Sequence, residues 1–289
     1  MAGIRRSRLL LAGAALVVGV AVPAVVVSPA EAVSGLVVVK AKSADTGSES
    51  FKWALAECPA GTHVLGGGGD ISGGSNGVHL SSLLPSPLGL PADSFYVTAM
   101  EDSAGYAGSW TLAAWAICGS GVTGWEVVTG DVAAAPGSTF TSATATCPAG
   151  KQVIGAGGYV SGGSPYILDS IDPASDLSGV FVEAIGDETT PIDGSAWGVH
   201  AVAVCVNPVP GQRLVSATTG ASAANKTKSV RCPRGTRVHG TGGGLTGALG
   251  EAHLDRLAPG STSVDIDARH DITGARTSWE AYVFAICAK

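Results

Sequence analysis

One stretch occurs three times in this chain and constrains everything else. It reads Cys58-Pro-Ala-Gly-Thr-His-Val-Leu-Gly-Gly-Gly-Gly, then Cys147-Pro-Ala-Gly-Lys-Gln-Val-Ile-Gly-Ala-Gly-Gly, then Cys232-Pro-Arg-Gly-Thr-Arg-Val-His-Gly-Thr-Gly-Gly. Cys, Pro, Gly, Val and three later glycines keep the same offsets in every copy. The chain is therefore an internal repeat, and its fold has to be built three times.

A second cysteine follows each box, at Cys118, Cys205 and Cys287. Six cysteines leave many pairings open in principle. A threefold pattern of two is satisfied most simply within each copy: Cys58 with Cys118, Cys147 with Cys205, Cys232 with Cys287. In an oxidising compartment these become disulfides. Each would close a loop of roughly 60 residues and stabilise by about 4 kcal/mol in the chain-entropy account. Zinc is the rival use, but there is no Cys-x-x-Cys pair and no accompanying His cluster. No metal or other cofactor is expected.

The N-terminus indicates the compartment. Arg5, Arg6 and Arg8 precede an apolar run from Leu9 to Val27, and Ala30-Glu31-Ala32 supplies a small-x-small cleavage pattern. Residues 1–32 are expected to be a signal peptide and the protein to be secreted. Arg8 stands where a twin-arginine signal carries a hydrophobic residue, so the ordinary secretory route is favoured. No other stretch is long and apolar enough to span a membrane. The remainder divides into repeats at 33–120, 121–208 and 209–289.

Gly, Thr, Val and Ala abound and helix-favouring charged stretches are scarce, which biases the chain towards sheet and turns. Each repeat opens with a strand candidate: Leu36-Val-Val-Val-Lys, Trp125-Glu-Val-Val-Thr, Arg213-Leu-Val-Ser-Ala. After the box comes a Gly-rich turn, then Leu-x-x-(Leu/Ile)-x-Pro ending at Pro85, Pro173 or Pro259. Pro cannot donate to a ladder, so it should mark a strand end. A strand ending near Asp102, Asp187 or Asp271 follows, and a last strand carries Trp110, Trp197 or Trp279 eight residues before the second Cys. The expected fold is all-β: three tandem antiparallel repeats of five or six strands, each with one internal disulfide. They are expected to pack with pseudo-threefold symmetry, the alternative being three separate β-sandwich beads. If the cysteines join antiparallel neighbours, Gly66 faces Trp110, Gly155 faces Trp197 and Gly240 faces Trp279. Glycine would then leave a flat patch for each ring.

No catalytic constellation is legible. The glycine boxes lack the phosphate-loop spacing and a following helix. Gly73-Gly-Ser75-Asn-Gly77 matches the nucleophile-elbow string, but in a turn of an all-β chain and in one repeat alone. His63, His79, His200, His239, His253 and His270 include no pair at zinc-ligand spacing, and surface or partly packed imidazoles are the default. Asp102, Asp187 and Asp271 recur in triplicate. They could bind calcium or a sugar hydroxyl, or accept backbone hydrogen bonds at a strand end.

Charge is uneven: repeat one is net −4, repeat two −8 and repeat three +4. Lys226, Lys228, Arg231, Arg234 and Arg237 crowd the start of the third box, to meet an anionic wall polymer or the acidic second repeat. Nucleic acid is a poor partner for a secreted, net acidic chain without a recognised binding motif.

The box with its closing strand, Cys-Pro-x-Gly-x-x-Val-x-Gly…Trp…Cys, resembles a repeat of secreted actinobacterial proteins that are mostly uncharacterised. The three β-rich copies are also distantly similar to β-prism proteins such as the vitelline membrane outer layer protein. The second resemblance implies, through some relatives, carbohydrate binding, while the short, strand-like links between copies favour a packed assembly; neither resemblance carries catalytic residues over. The sequence is best read as a secreted, non-enzymatic binding protein, lectin-like or associated with extracellular glycan or cell-wall polymer. Its contacts would be exposed aromatics and the loops after Pro85, Pro173 and Pro259. The alternatives are a secreted inhibitor or structural coat protein, and an extracellular hydrolase whose site is not visible in sequence.

Overall fold

The computed structural model describes residues 32–86, 90–162, 165–188 and 194–289. The signal peptide expected at 1–32 lies, apart from Ala32, outside the described residues. Repeat one supplies β1 (Ser34–Lys42), β2 (Phe51–Glu57), β3 (His63–Ser72), β4 (Val78–Pro85), β5 (Ser94–Glu101) and β6 (Thr111–Ser120). Repeat two supplies β7 (Glu126–Ala133), β8 (Phe140–Thr146), β9 (Gln152–Ser161), β10 (Tyr166–Pro173), β11 (Gly179–Gly186) and β12 (Gly198–Val206). Repeat three supplies β13 (Arg213–Thr218), β14 (Lys226–Arg231), β15 (Arg237–Thr246), β16 (Ala252–Pro259), β17 (Ser263–His270) and β18 (Glu280–Ala288). The box forms β3, β9 and β15, and each Leu-x-x-(Leu/Ile)-x-Pro strand ends at its proline. Among the described residues no helix is long and apolar enough to cross a membrane.

The eighteen strands form three six-stranded antiparallel sheets, and every sheet is shared by two repeats. Their orders are β1-β6-β3-β16-β17-β14 (sheet A), β2-β5-β4-β9-β12-β7 (sheet B) and β13-β18-β15-β10-β11-β8 (sheet C). Repeat one meets repeat two in sheet B, two meets three in sheet C, and three meets one in sheet A. The ring closes. Separate beads are thereby excluded, because a lone repeat would leave two three-stranded half-sheets with unpaired edges.

Within each repeat the two half-sheets face each other, and the disulfide ties them together. Cys58 follows β2 in sheet B and bonds to Cys118 on β6 in sheet A, with Cα atoms 5.6 Å apart. Cys147–Cys205 and Cys232–Cys287 repeat this at 5.7 Å. The cysteines thus do not join hydrogen-bonded neighbours, and this overturns the expected Gly–Trp pairing. The Cys-Pro-x-Gly turn carries the chain from one sheet to the other, so the box strand pairs seven residues further along. Gly66 lies opposite Ile117, Gly155 opposite Val204 and Gly240 opposite Ile286. The glycines beside Trp110, Trp197 and Trp279 are instead Gly73, Gly162 and Gly247, each with positive φ.

Gly66, Gly155 and Gly240 have another task. A Cβ on Gly66 would meet the His239 carbonyl oxygen at 2.6 Å and Gly240 Cα at 2.9 Å. One on Gly155 would overlap the Leu65 carbonyl, and one on Gly240 the Ile154 carbonyl. The three box strands therefore meet backbone to backbone around one axis, with Leu65, Ile154 and His239 wholly buried beside them. A second ring follows two residues on. Gly68, Gly157 and Gly242 accept the Leu257, Leu83 and Ile171 carbonyls and the rings of Pro259, Pro85 and Pro173. Both recurring motifs are thus halves of one contact between repeats. The alternate glycines Gly67 and Gly69 make room for Phe95, Leu80 and Val97 inside repeat one. Positions that meet a neighbouring backbone this closely tolerate only glycine.

Trp110, Trp197 and Trp279 are buried in the core. Lys52 Nζ lies 4.5 Å from the Trp110 ring centroid and Lys226 Nζ 5.0 Å from that of Trp279, while Trp197 stacks on Tyr166 at 4.1 Å. The buried Lys52 ammonium donates to the Gly47 and Trp110 carbonyls, which offsets its loss of water.

The ring closure yields a prediction. Val33 N–H donates to the Lys289 carbonyl at 3.1 Å. At the other two junctions, Ser120–Gly121–Val122 and Asn207–Pro208–Val209, a single residue bridges equivalent positions. A circular permutant that joins Lys289 to Val33 through one residue and opens at Gly121 should fold, with a melting temperature within a few degrees of the parent. An unfolded permutant by circular dichroism would show that the third junction is not equivalent.

Candidate functional site

The three sheets share a scaffold but present different outer faces. Because neighbouring strands are in register, one row of outward side chains can be read straight across each sheet. On sheet A the row is Lys42, Ala113, Asp70, Arg256, Asp267 and Thr227. Its charges neutralise each other locally, through Lys40–Asp70 at 3.6 Å and Arg256–Asp265 at 3.5 Å. On sheet C the row is Thr218, Tyr282, Gly244, Ser170, Glu183 and Ser142. Acids gather beside it: Tyr282 donates to Asp172 at 2.9 Å, and burial pushes Asp172 up to about 6 and Asp169 up to about 7.

Sheet B is the aromatic face. Its row is Trp53, Thr98, Ser82, Tyr159, His200 and Asp131, and the next row is Leu55, Tyr96, Leu84, Gly157, Val202 and Thr129. A groove of about 760 Å³ runs over the junction between repeats one and two. Tyr96, Tyr159 and Trp125 line it, with Leu84, Pro85 and Leu90 on the repeat-one side and Val127, Thr129 and Asp131 opposite. Gly157 lies beneath the Pro85 ring, which packs directly on it. Trp125 is fixed in place: its indole N–H donates to the Val64 carbonyl at 2.9 Å and its ring stacks on His63 at 4.8 Å. Trp53 is half exposed and lies 6.2 Å from Tyr96, extending the aromatic strip beyond the groove. Of the anticipated contact loops, the one after Pro85 reaches the site, through Ser86 and Leu90.

The groove's polar groups are organised. His200 stacks flat on Tyr159, with ring centroids 4.0 Å apart and planes within 5°. Its Nδ1 lies 2.7 Å from Asp131 Oδ1 and its Nε2 3.1 Å from Ser161 Oγ. Burial pushes the Tyr96 and Tyr159 phenols up, and Asp131 adds to the shift at Tyr159. Both hydroxyls stay protonated and can donate.

None of these residues stood out in the sequence. Asp131, Ser161 and His200 are well separated along the chain and match no motif, and strand pairing alone brings them together. The signal that existed was difference between copies at two of the three positions: where repeat two has Asp131 and His200, repeat one has Lys42 and Ala113 and repeat three has Thr218 and Tyr282, while Ser161 is matched by the hydroxyls of Ser72 and Thr246.

The residues named from the sequence fall elsewhere. Asp102, Asp187 and Asp271 are buried at strand ends, and their backbone N–H groups donate to Gly77, Pro165 and Glu251 respectively. Asp102 Oδ1 accepts from Ala104 and Gly105, and Asp271 Oδ1 from Thr273 and Gly274. The three carboxylates do approach one another: burial, with Asp187 and Asp271 alongside, pushes Asp102 up to about 6. Among the described residues, however, no three His, Cys, Asp or Glu side chains are arranged to hold a metal ion. Ser75 sits in the turn between β3 and β4, with strand and not helix after it.

The default of surface or partly packed imidazoles fails for His79, His239 and His253, each at most 1% exposed. They sit where the other repeats place apolar side chains, His79 and His253 matching Ile167, and His239 matching Leu65 and Ile154. His79 and His253 come within 5.9 Å. The five basic residues at the start of the third box do not pair with repeat two: among the described residues Lys226, Lys228, Arg231, Arg234 and Arg237 are in no ion pair, and the pair that crosses that boundary is Arg276–Glu188. Comparison with protein-family models and with curated proteins finds no match for this chain.

Proposed function

We propose that this is a secreted protein that binds extracellular or cell-envelope glycan in the aromatic groove of sheet B. The observation that carries the reading is the convergence of Tyr96, Tyr159 and Trp125 on one groove, with His200, Asp131 and Thr129 among them. A pyranose has two apolar C–H faces and a rim of hydroxyls. Flat aromatic rings satisfy the faces, while phenol, carboxylate and hydroxyl groups satisfy the rim. Three disulfides suit an oxidising extracellular compartment. Trp53, half exposed and 6.2 Å from Tyr96 beyond the groove, favours a chain over a single sugar.

Titration calorimetry against a panel of wall-derived and plant oligosaccharides tests this, alongside pull-down on purified cell wall. Saturable, sugar-competed binding is expected. Tyr159→Ala should weaken it roughly tenfold or more, since a central aromatic anchor is worth about 2 kcal/mol. Trp53→Ala, at the exposed end of the strip, should weaken binding to long saccharides and spare short ones. No binding across the panel would leave the inhibitor or coat-protein reading in its place.

A further inference from the structure

We propose that the groove also carries an ester-cleaving centre, with Ser161 as nucleophile, His200 as general base and Asp131 as the residue that positions it. Its substrates would be acyl esters on the saccharide that the groove holds. The substrate class rests on the glycan reading, whereas the chemistry rests on the three side chains. This goes beyond the non-enzymatic expectation drawn from the sequence.

The geometry has the order that nucleophilic catalysis requires. Asp131 Oδ1 is 2.7 Å from His200 Nδ1, and Ser161 Oγ is 3.1 Å from His200 Nε2. A carboxylate at Nδ1 holds the proton there and leaves Nε2 bare, so the serine hydroxyl donates to Nε2 at 3.1 Å, the Gly198 carbonyl at 3.4 Å being the longer and weaker competing acceptor. Tyr159, stacked on the imidazole at 4.0 Å, keeps the ring in that plane. All three residues project from paired strands and not from loops: Asp131 on β7 pairs with His200 on β12, and Ser161 on β9 pairs with Gly198 on β12. Strand-borne groups are held more tightly than loop-borne ones.

The plain alternative is a hydrogen-bonded chain that stabilises the sheet. The other repeats argue against it. The same positions carry Lys42, Ala113 and Ser72 in repeat one, and Thr218, Tyr282 and Thr246 in repeat three. The scaffold forms twice without the chain. It occurs at the edge of the groove: Asp131, His200 and Tyr159 line it, and Ser161 stands just outside that lining, against His200.

The steps balance with water as the one co-reactant. The Ser161 hydroxyl proton passes to His200 Nε2 as Oγ bonds to the acyl carbon. The tetrahedral adduct then breaks its bond to the sugar oxygen, which takes the proton from Nε2 and leaves as a free hydroxyl. Water next attacks the acyl-serine and gives a proton to Nε2. The acyl carbon–Oγ bond breaks, the carboxylic acid departs, and the proton returns to Ser161.

The test uses the full secreted chain with a fluorophosphonate probe, mapped by peptide mass spectrometry, and with acetylated xylan and O-acetylated peptidoglycan, scored by acetate release. The probe should label Ser161. Ser161→Ala and His200→Gln should each lower acetate release by roughly a hundredfold or more. Asp131→Asn should lower kcat far more than it raises KM, the pattern of lost positioning and not of lost binding. Ser161→Ala should still bind the deacetylated oligosaccharide within twofold of the parent, which also shows that it is folded. An unlabelled Ser161 with acetate release equal to that of Ser161→Ala overturns the centre even if the groove binds sugar. Labelling at Ser161 without saccharide binding would keep the centre and overturn the glycan reading.

Discussion

Gly155→Ala is expected to prevent folding. A Cβ there would overlap the Leu65 carbonyl oxygen and come within 3.0 Å of Gly66 Cα. Both are backbone atoms of a neighbouring repeat, so no side chain can swing aside. Overpacking a core ordinarily costs about 1–3 kcal/mol because rotamers adjust. Here relief requires moving β3 or β9, and those strands also hold Gly66 and Gly240 against each other. The cost should exceed about 5 kcal/mol, comparable to the whole stability of many domains. The control is Gly220→Ala, where a Cβ meets nothing within 4 Å, and it should be neutral within about 0.5 kcal/mol. Yield of soluble protein and far-ultraviolet circular dichroism decide the matter. A folded Gly155→Ala protein melting within a few degrees of the parent would mean that the three box strands do not meet at the axis.

His79→Ile should stabilise the protein, increasingly so as the pH falls. His79 is 1% exposed and neither ring nitrogen has a hydrogen-bond partner. Burial, partly offset by Asp187, pushes its pKa down from 6.5 to about 4. The neighbouring His253 is pushed down to about 3 by burial, then by His79 and Arg269. A depressed imidazole contributes stability that is present above the unfolded value near 6.5 and lost as pH falls towards the folded value, because the unfolded chain takes the proton first. Between pH 7 and pH 4 the parent should lose about 3 kcal/mol at His79 alone. Isoleucine is the side chain that repeat two carries at this position, and Ile167 is 2% exposed there. The variant therefore keeps the packing and removes the proton uptake. Melting temperatures from pH 7 to pH 4 should diverge, with the variant higher throughout and by the most at pH 4. A constant difference across that range would contradict the assignment of the loss to His79.

Both predictions concern positions whose importance was only half visible in the sequence. The recurrence of Gly66, Gly155 and Gly240 marked them as structural, but their partners were misassigned. The assumption that bridged cysteines sit on paired strands placed them under the tryptophans, whereas the disulfides span two sheets. His79 and His253 shared an offset, yet only the ring arrangement turns that offset into burial beside the axis. Asp131, His200 and Ser161 carried no local signal, since their proximity depends on the pairing of β7, β9 and β12.

Composition was sufficient to determine that the chain is all-β, and repetition that it is built three times and which cysteines pair, because a pattern recurring at fixed offsets reports one local structure solved three times. The proline stops and the closing strands followed from the same alternation and donor arithmetic that govern any sheet. The sharing of each sheet between two repeats, and the glycine-to-carbonyl contacts that close the ring, belong to the tertiary structure, since they join residues with no sequence relation beyond equivalence. The Cys-Pro-x-Gly box first presents itself as a glycine-rich loop, and the fold makes it the strand on which three repeats meet. The copies differ on outer faces that the shared core leaves free to vary.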